Sequence, residues 1–160
     1  MNETKDQDAD HASLVRSLGQ MTMRLQEVNQ AFDEAVGARN NLSTVELRAL
    51  STLMAGERTA GEIAKTTGLK PSSVTSLIDR LERTGYLGRK SDPADRRKVV
   101  LEATSKAHAL AATYYGGLAK AGEEMLASHS ISELTLLSEV MGKMVVIQEE
   151  AIRNLPAQDS

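Results

Sequence analysis

The sequence predicts a mainly α-helical fold with one small β-hairpin (α+β), and three observations lead there. Of the 160 residues 41% are apolar but only 2% aromatic, so a core must be assembled from Leu, Ala, Val, Ile and Met, a mixture that favours helices. Apolar residues recur at alternating spacings of three and four along most of the chain. One stretch breaks that rhythm, "SDPADRRKVVLEAT" (91–104). There Pro93 sets its own φ and pushes Asp92 toward extended geometry, and Val99, Val100 and Leu101 make a β-prone run closed by Thr104.

Each element follows in order. Leu14, Leu18, Met21, Leu25, Val28 and Phe32 form a helical stripe of near-heptad regularity, which "GARNN" (37–41) interrupts. Residues 42–55 open on the capping box Ser43/Glu46 and end at Gly56. A second box, Thr59/Glu62, starts a short helix that Gly68 stops. Pro71 takes the favoured first-turn position of the next helix, which closes on Gly85. "YLGRK" (86–90) is placed to pair with the run at 99–101, giving a hairpin whose tip carries Asp95, Arg96 and Arg97. Thr104 or Ser105 then caps a helix through Ala127, with Ala107, Leu110, Ala111, Tyr114, Leu118, Ala121 and Met125 on one face. A third box, Ser130/Glu133, starts the last helix, striped by Leu134, Leu137, Val140 or Met141, Met144, Ile147 and Ala151.

Charge is segregated. The formal net charge is −3, yet between Arg58 and Ala107 eleven Lys/Arg face six Asp/Glu, a net of +5, while the remainder holds eight basic and sixteen acidic residues, a net of −8. A basic centre between acidic ends is the distribution of a small polyanion-binding module set in a larger scaffold. The absence of Cys removes disulfides, Cys-ligated zinc and thiol chemistry. His11, His108 and His129 are scattered without metal-ligand spacing. The polar, acidic start "MNETKDQDAD" has no secretory apolar region and no run reaches membrane-span length, so a cytoplasmic chain without membrane contact is expected.

Catalysis finds no support. A hydrolase elbow needs G-x-S-x-G, which is absent, and "GGLAKAG" (116–122) lacks the Gly-Lys-Ser/Thr end of a phosphate loop. Glu123–Glu124 and Glu149–Glu150 read as helix-surface charges. No catalytic residue, metal site or cofactor is assigned.

The helix at 58–68, the turn and the helix at 71–84 make a helix-turn-helix, with the hairpin as a wing behind it. In the second helix Val74, Leu77, Ile78 and Leu81 point inward, leaving Ser72, Ser73, Thr75, Ser76, Asp79, Arg80 and Arg83 outside. Short hydroxyls near a helix N-terminus suit close approach to phosphates and base edges, and Arg80 has the reach for guanine or a phosphate. A rigid hairpin can deliver Arg96 or Arg97 to a narrow minor groove, with Asp95 holding the neighbouring arginine by a charge-assisted bond.

The run "TAGEIAKTTGLKPSSVTSLIDRLERTGYLGRKSDPADRRKVVLEAT" (59–104) closely resembles the winged helix-turn-helix of the MarR family of bacterial transcription regulators. The most specific match is the wing motif "DPADRR", Asp92 to Arg97, preceded by "LIDRLERTGYL" (77–87). The family's Leu-Thr pair appears here interrupted, as "LEAT", and Ala107 stands where a glycine usually follows.

The resemblance implies an obligate homodimer that represses transcription from a pseudo-palindromic operator in double-stranded DNA. Dimerisation is assigned to helices from both chain ends, consistent with amphipathic helices carrying more apolar surface than one small lobe can bury. The organisation expected is a disordered tail at 1–10, a dimerisation helix at 11–36, a winged DNA-binding domain at 42–104, C-terminal dimerisation helices at 105–154 and a tail at 155–160. By resemblance Ser72, Ser73, Thr75, Ser76 and Arg80 fall in the recognition helix. Arg97, braced by Asp95, falls at the wing tip and ranks above Arg96 because the family's tip pattern is Asp-x-Arg. Many relatives release DNA on binding a small phenolic or other aromatic anion, for which Arg16, Met21, Met23, Arg24 and Tyr114 are the candidates. The alternative function is a winged helix used for protein contacts without specific DNA binding.

Overall fold

The computed structural model describes residues 3–91 and 99–155, with side chains from residue 10 onward. The wing tip, and with it Asp95, Arg96 and Arg97, lies outside the described residues. The chain divides into two compact units, 1–111 and 112–160.

The first unit begins with α1, Glu3–Asn40. It runs through much of the stretch expected as a tail at 1–10. Its end falls within "GARNN" (37–41), at Asn40 rather than at Gly37. Gly37 stays helical, and the chain folds back over it so closely that a Cβ there would run into the Leu42 carbonyl oxygen. The turn is made instead by Asn41, in left-handed geometry (φ 53°), with the Leu42 amide donating to the Gly37 carbonyl at 2.9 Å in a Schellman closure.

Helices α2 (Thr44–Met54), α3 (Ala60–Thr67) and α4 (Pro71–Arg83) follow, then strands β1 (Leu87–Ser91) and β2 (Val99–Ala103). The capping boxes anticipated at Ser43/Glu46 and Thr59/Glu62 are both formed. At the end of α4, Gly85 adopts φ 78° and the Tyr86 amide donates to the Leu81 carbonyl at 2.9 Å. The strands pair antiparallel with Leu87 opposite Ala103 and Ser91 opposite Val99. Arg58, between α2 and α3, adds a one-residue rung on the other side of β2 by exchanging both backbone hydrogen bonds with Leu101 (3.0 and 2.7 Å). A one-residue rung has no periodicity, so the sequence offers no sign of it.

The core of this unit is one cluster: Leu47, Leu50 and Leu53 of α2, Ile63 of α3, Val74, Leu77, Ile78 and Leu81 of α4, Leu87, Val100 and Leu101 of the hairpin, and Ala107 and Leu110 of α5 (Ser105–Ala127). Burying each of the larger side chains contributes about 1.5–3 kcal/mol. Thr104 joins hairpin to helix. Its hydroxyl donates to the Gly85 carbonyl at 2.7 Å and accepts from the Ala107 amide at 3.4 Å, the cap anticipated for this helix.

The second unit holds the remainder of α5 and α6 (Ile131–Arg153). The Ser130/Glu133 box is formed at the start of α6, and no residue of α6 is buried. Among the described residues no helix is long and apolar enough to cross a membrane.

Candidate nucleic-acid interface

Helix α4 presents its polar face outward because its apolar stripe is consumed by the core. Ser72, Ser73, Thr75, Ser76, Arg80 and Arg83 are all exposed, as the pattern predicted. The start of α4 differs from those of α2, α3 and α6. Its N-cap residue, Lys70, makes no side-chain capping bond, Pro71 stands at the first position, and the first turn holds no acid. The amides that a capping box would occupy are therefore left pointing out beside Ser72 and Ser73, with the dipole favouring negative charge. Thr75 and Ser76 each donate their hydroxyl to the carbonyl one turn back, Pro71 at 3.2 Å and Ser72 at 3.3 Å. A hydroxyl rotates about its C–O bond, so either can redirect that proton to an incoming acceptor.

Arg80 is placed differently from its neighbours. Its Nε lies 2.8 Å from Oε1 of Glu46, and its Nη2 donates to the Asn41 carbonyl at 2.9 Å. Glu46 is only 3% exposed. Its Oε2 accepts from the Ser43 amide (2.8 Å) and hydroxyl (2.9 Å), completing the cap of α2. Oε1 accepts no directed hydrogen bond, so the Arg80 charge beside it is what compensates that oxygen. Sequence reading marked Glu46 as a cap and missed its second role. The partner carbonyl at Asn41 stands 39 residues before Arg80, and no local pattern links the two.

The base of the hairpin is tied down on both faces. Arg89 pairs with Asp79 and, at 2.9 Å, with Glu82, both on α4. Lys90 pairs with Glu57 and, at 2.9 Å, with Glu102, and hydrogen bonds to first Glu57 and then Glu102 push its ammonium up to about 12. Lys106 donates to the Thr84 carbonyl at 2.8 Å and sits 4.3 Å from the centre of the Tyr86 ring.

Of the ligand candidates, Arg16, Met21, Met23 and Arg24 are exposed on α1, with Arg24 paired to Glu27 at 3.1 Å. Met21 and Met23, two positions apart, point to nearly opposite sides of that helix. Tyr114 is half-buried on α5 in the other unit. Among the described residues no cluster of His, Asp or Glu could hold a metal ion.

A helix-turn-helix followed by a paired hairpin has clear counterparts among known proteins. A family model described as the MarR family matches residues 40–98. Over 155 residues, 96% of each chain, the sequence is 33% identical to YcgE of Bacillus subtilis (strain 168), an uncharacterized HTH-type transcriptional regulator. The chain belongs to the MarR family. As a MarR-family chain it is a transcriptional regulator with a winged helix, and not an enzyme. The fold agrees with that of a mutant MepR from a multidrug-resistant S. aureus clinical isolate (TM-score 0.65, 16% identity, covering 81% of this chain and 96% of that one). It also agrees with another S. aureus MepR mutant, bound to an oligodeoxyribonucleotide (TM-score 0.53, 20% identity, 80% and 94% covered).

Proposed function

We propose that this MarR-family regulator is a homodimeric repressor that reads a pseudo-palindromic operator with α4 in the major groove and the wing in the minor groove. One observation carries the reading. The exposed face of α4 starts at an uncapped N-terminus flanked by Ser72 and Ser73, next to a hairpin that leads to Asp95, Arg96 and Arg97. Ser72, Ser73, Thr75 and Ser76 then meet phosphates and base edges, Arg83 adds a positive charge at the last residue of α4, and Arg97, braced by Asp95, enters the minor groove with Arg96 beside it. MepR, a relative in fold, has been seen with an oligodeoxyribonucleotide.

The homodimer is supported by apolar surface left open at both chain ends. Leu14, Leu18, Met21 and Leu25 on α1 and Val140, Met141, Val145 and Ile147 on α6 are exposed, Met21 at 65% and Ile147 at 64%. Stripes of that extent call for a partner surface, and a two-fold pair of these chains sets two copies of α4 about 34 Å apart, one turn of DNA. An aromatic or phenolic effector that touches Arg16, Met21, Met23, Arg24 or Tyr114 completes the reading.

Selection of duplexes from a random library, followed by footprinting, tests it. An enriched, two-fold symmetric site is the expected result, and Arg97→Ala should weaken binding to it while leaving the melting temperature and mass unchanged. A titration on random duplex that reveals no salt-dependent binding would instead make the chain a protein-contact module.

A further inference from the structure

Arg80 lies on the helix proposed to read DNA, yet its contacts run inward. The guanidinium is a planar fork, and two of its three nitrogens are already engaged, Nη2 donating to the Asn41 carbonyl and Nε in an ion pair with Glu46. Glu46 cannot reach DNA, being buried beneath the start of α2. A carboxylate at that depth needs a compensating charge, and Arg80 supplies it. Asn41 is the left-handed residue that follows α1, so one side chain joins the end of α1, the first turn of α2 and the last turn of α4. All three elements belong to the same unit.

We infer that Arg80 is a positioning residue rather than a reader of bases: its fork to Glu46 and Asn41 sets the angle at which α4 leaves the α1–α2 corner. The inference rests on the DNA-reading role proposed above and reassigns one of its residues. The leverage is geometric. Ser72 lies about 12 Å along the helix from Arg80, so a tilt of about 5° moves it by about 1 Å, a large fraction of a hydrogen bond's tolerance. Because α1 also carries the open apolar stripe, the same fork ties the orientation of the reading helix to the helix proposed to meet the partner subunit.

The test uses the full chain, a duplex enriched by that chain from a random library, and every single-base variant of that duplex. Glu46→Gln keeps an acceptor for the Ser43 amide but removes the charge that Arg80 seeks. Arg80→Lys keeps a positive charge for any phosphate but cannot span Glu46 and Asn41. Each should weaken binding on the order of tenfold, and the double variant should be no weaker than either single one, as for two members of one network. The ranking of base variants and the salt slope should not change, which separates positioning from base or phosphate contact. Circular dichroism at the assay temperature confirms that each variant is folded. Should Glu46→Gln not fold, Arg80→Lys decides alone. Full affinity in Arg80→Lys, or a lost preference at one base pair, overturns the assignment. An unmodified chain that enriches no duplex overturns the DNA-reading role itself.

Discussion

Helices α4 and α6 are both amphipathic, yet they end in opposite conditions. In α4 the stripe Val74, Leu77, Ile78 and Leu81 is buried, with α3 and the hairpin packed against the helix, while no residue of α6 is buried. The reverse holds at their N-termini: α6 is closed by a complete Ser130/Glu133 box, whereas α4 begins without a side-chain cap. One helix is finished at its apolar face and open at its polar end, and the other is the converse. The difference leaves two kinds of open surface on one chain, a polar one at the start of α4 and an apolar one along α6.

The comparison is sharpened most strongly by truncating the buried stripe. Leu81→Ala should lower unfolding free energy by about 3 kcal/mol, because Leu81 is fully enclosed and its site cannot collapse around a smaller residue. Chemical denaturation measures it. Leu137→Ala on α6 should cost far less in a dilute sample. A charge on that face, Val140→Glu, should instead lower the mass seen by light scattering and abolish the concentration dependence of the melting temperature, with the helical signal retained. A concentration-independent melt in the unmodified chain would break the comparison.

Next in size, Gly85→Ala should cost about 1–2 kcal/mol, since φ 78° at the end of α4 is strained for any residue with a Cβ. Thermal melts would show it. Removing a cap is smaller again: Ser130→Ala should destabilise by about 1 kcal/mol, whereas Lys70→Ala, at the uncapped start of α4, should change stability little.

The smallest effect is on pH. Hydrogen bonds from the Ser130 hydroxyl and amide hold the Glu133 carboxyl below its ordinary range, and those from the Thr59 amide and hydroxyl do the same for Glu62. The unfolded chain therefore takes up protons at these groups before the folded chain does. Their contribution is present above the ordinary Glu value of 4.5 and fades as pH falls through the lowered folded values. Titrating unfolding below pH 4.5 should show Glu133→Gln losing less stability than the unmodified chain over that window.

Much of this molecule could be read from its chain order. The stripes at 74–81 and the boxes at 43/46, 59/62 and 130/133 rest on residues three or four apart, where helical geometry makes neighbours of them. The hairpin was legible from Pro93 and the β-branched run at 99–100. Of the candidate interface, the exposure of Ser72, Ser73, Thr75 and Ser76 was legible for the same periodic reason. The fate of Arg80 was not, because an exposed position in a helical pattern does not say whether its side chain turns to solvent or back across to another helix.

What the sequence determined by itself, then, is the set of elements, their caps and which side of each is apolar, all consequences of short-range backbone geometry. What only the tertiary structure decided is which distant groups meet: Arg80 with Glu46 and Asn41, Arg58 with Leu101, Gly37 beneath the Leu42 carbonyl. Those meetings depend on how the helices pack, and packing answers to the volume and charge of every neighbour at once rather than to any interval along the chain.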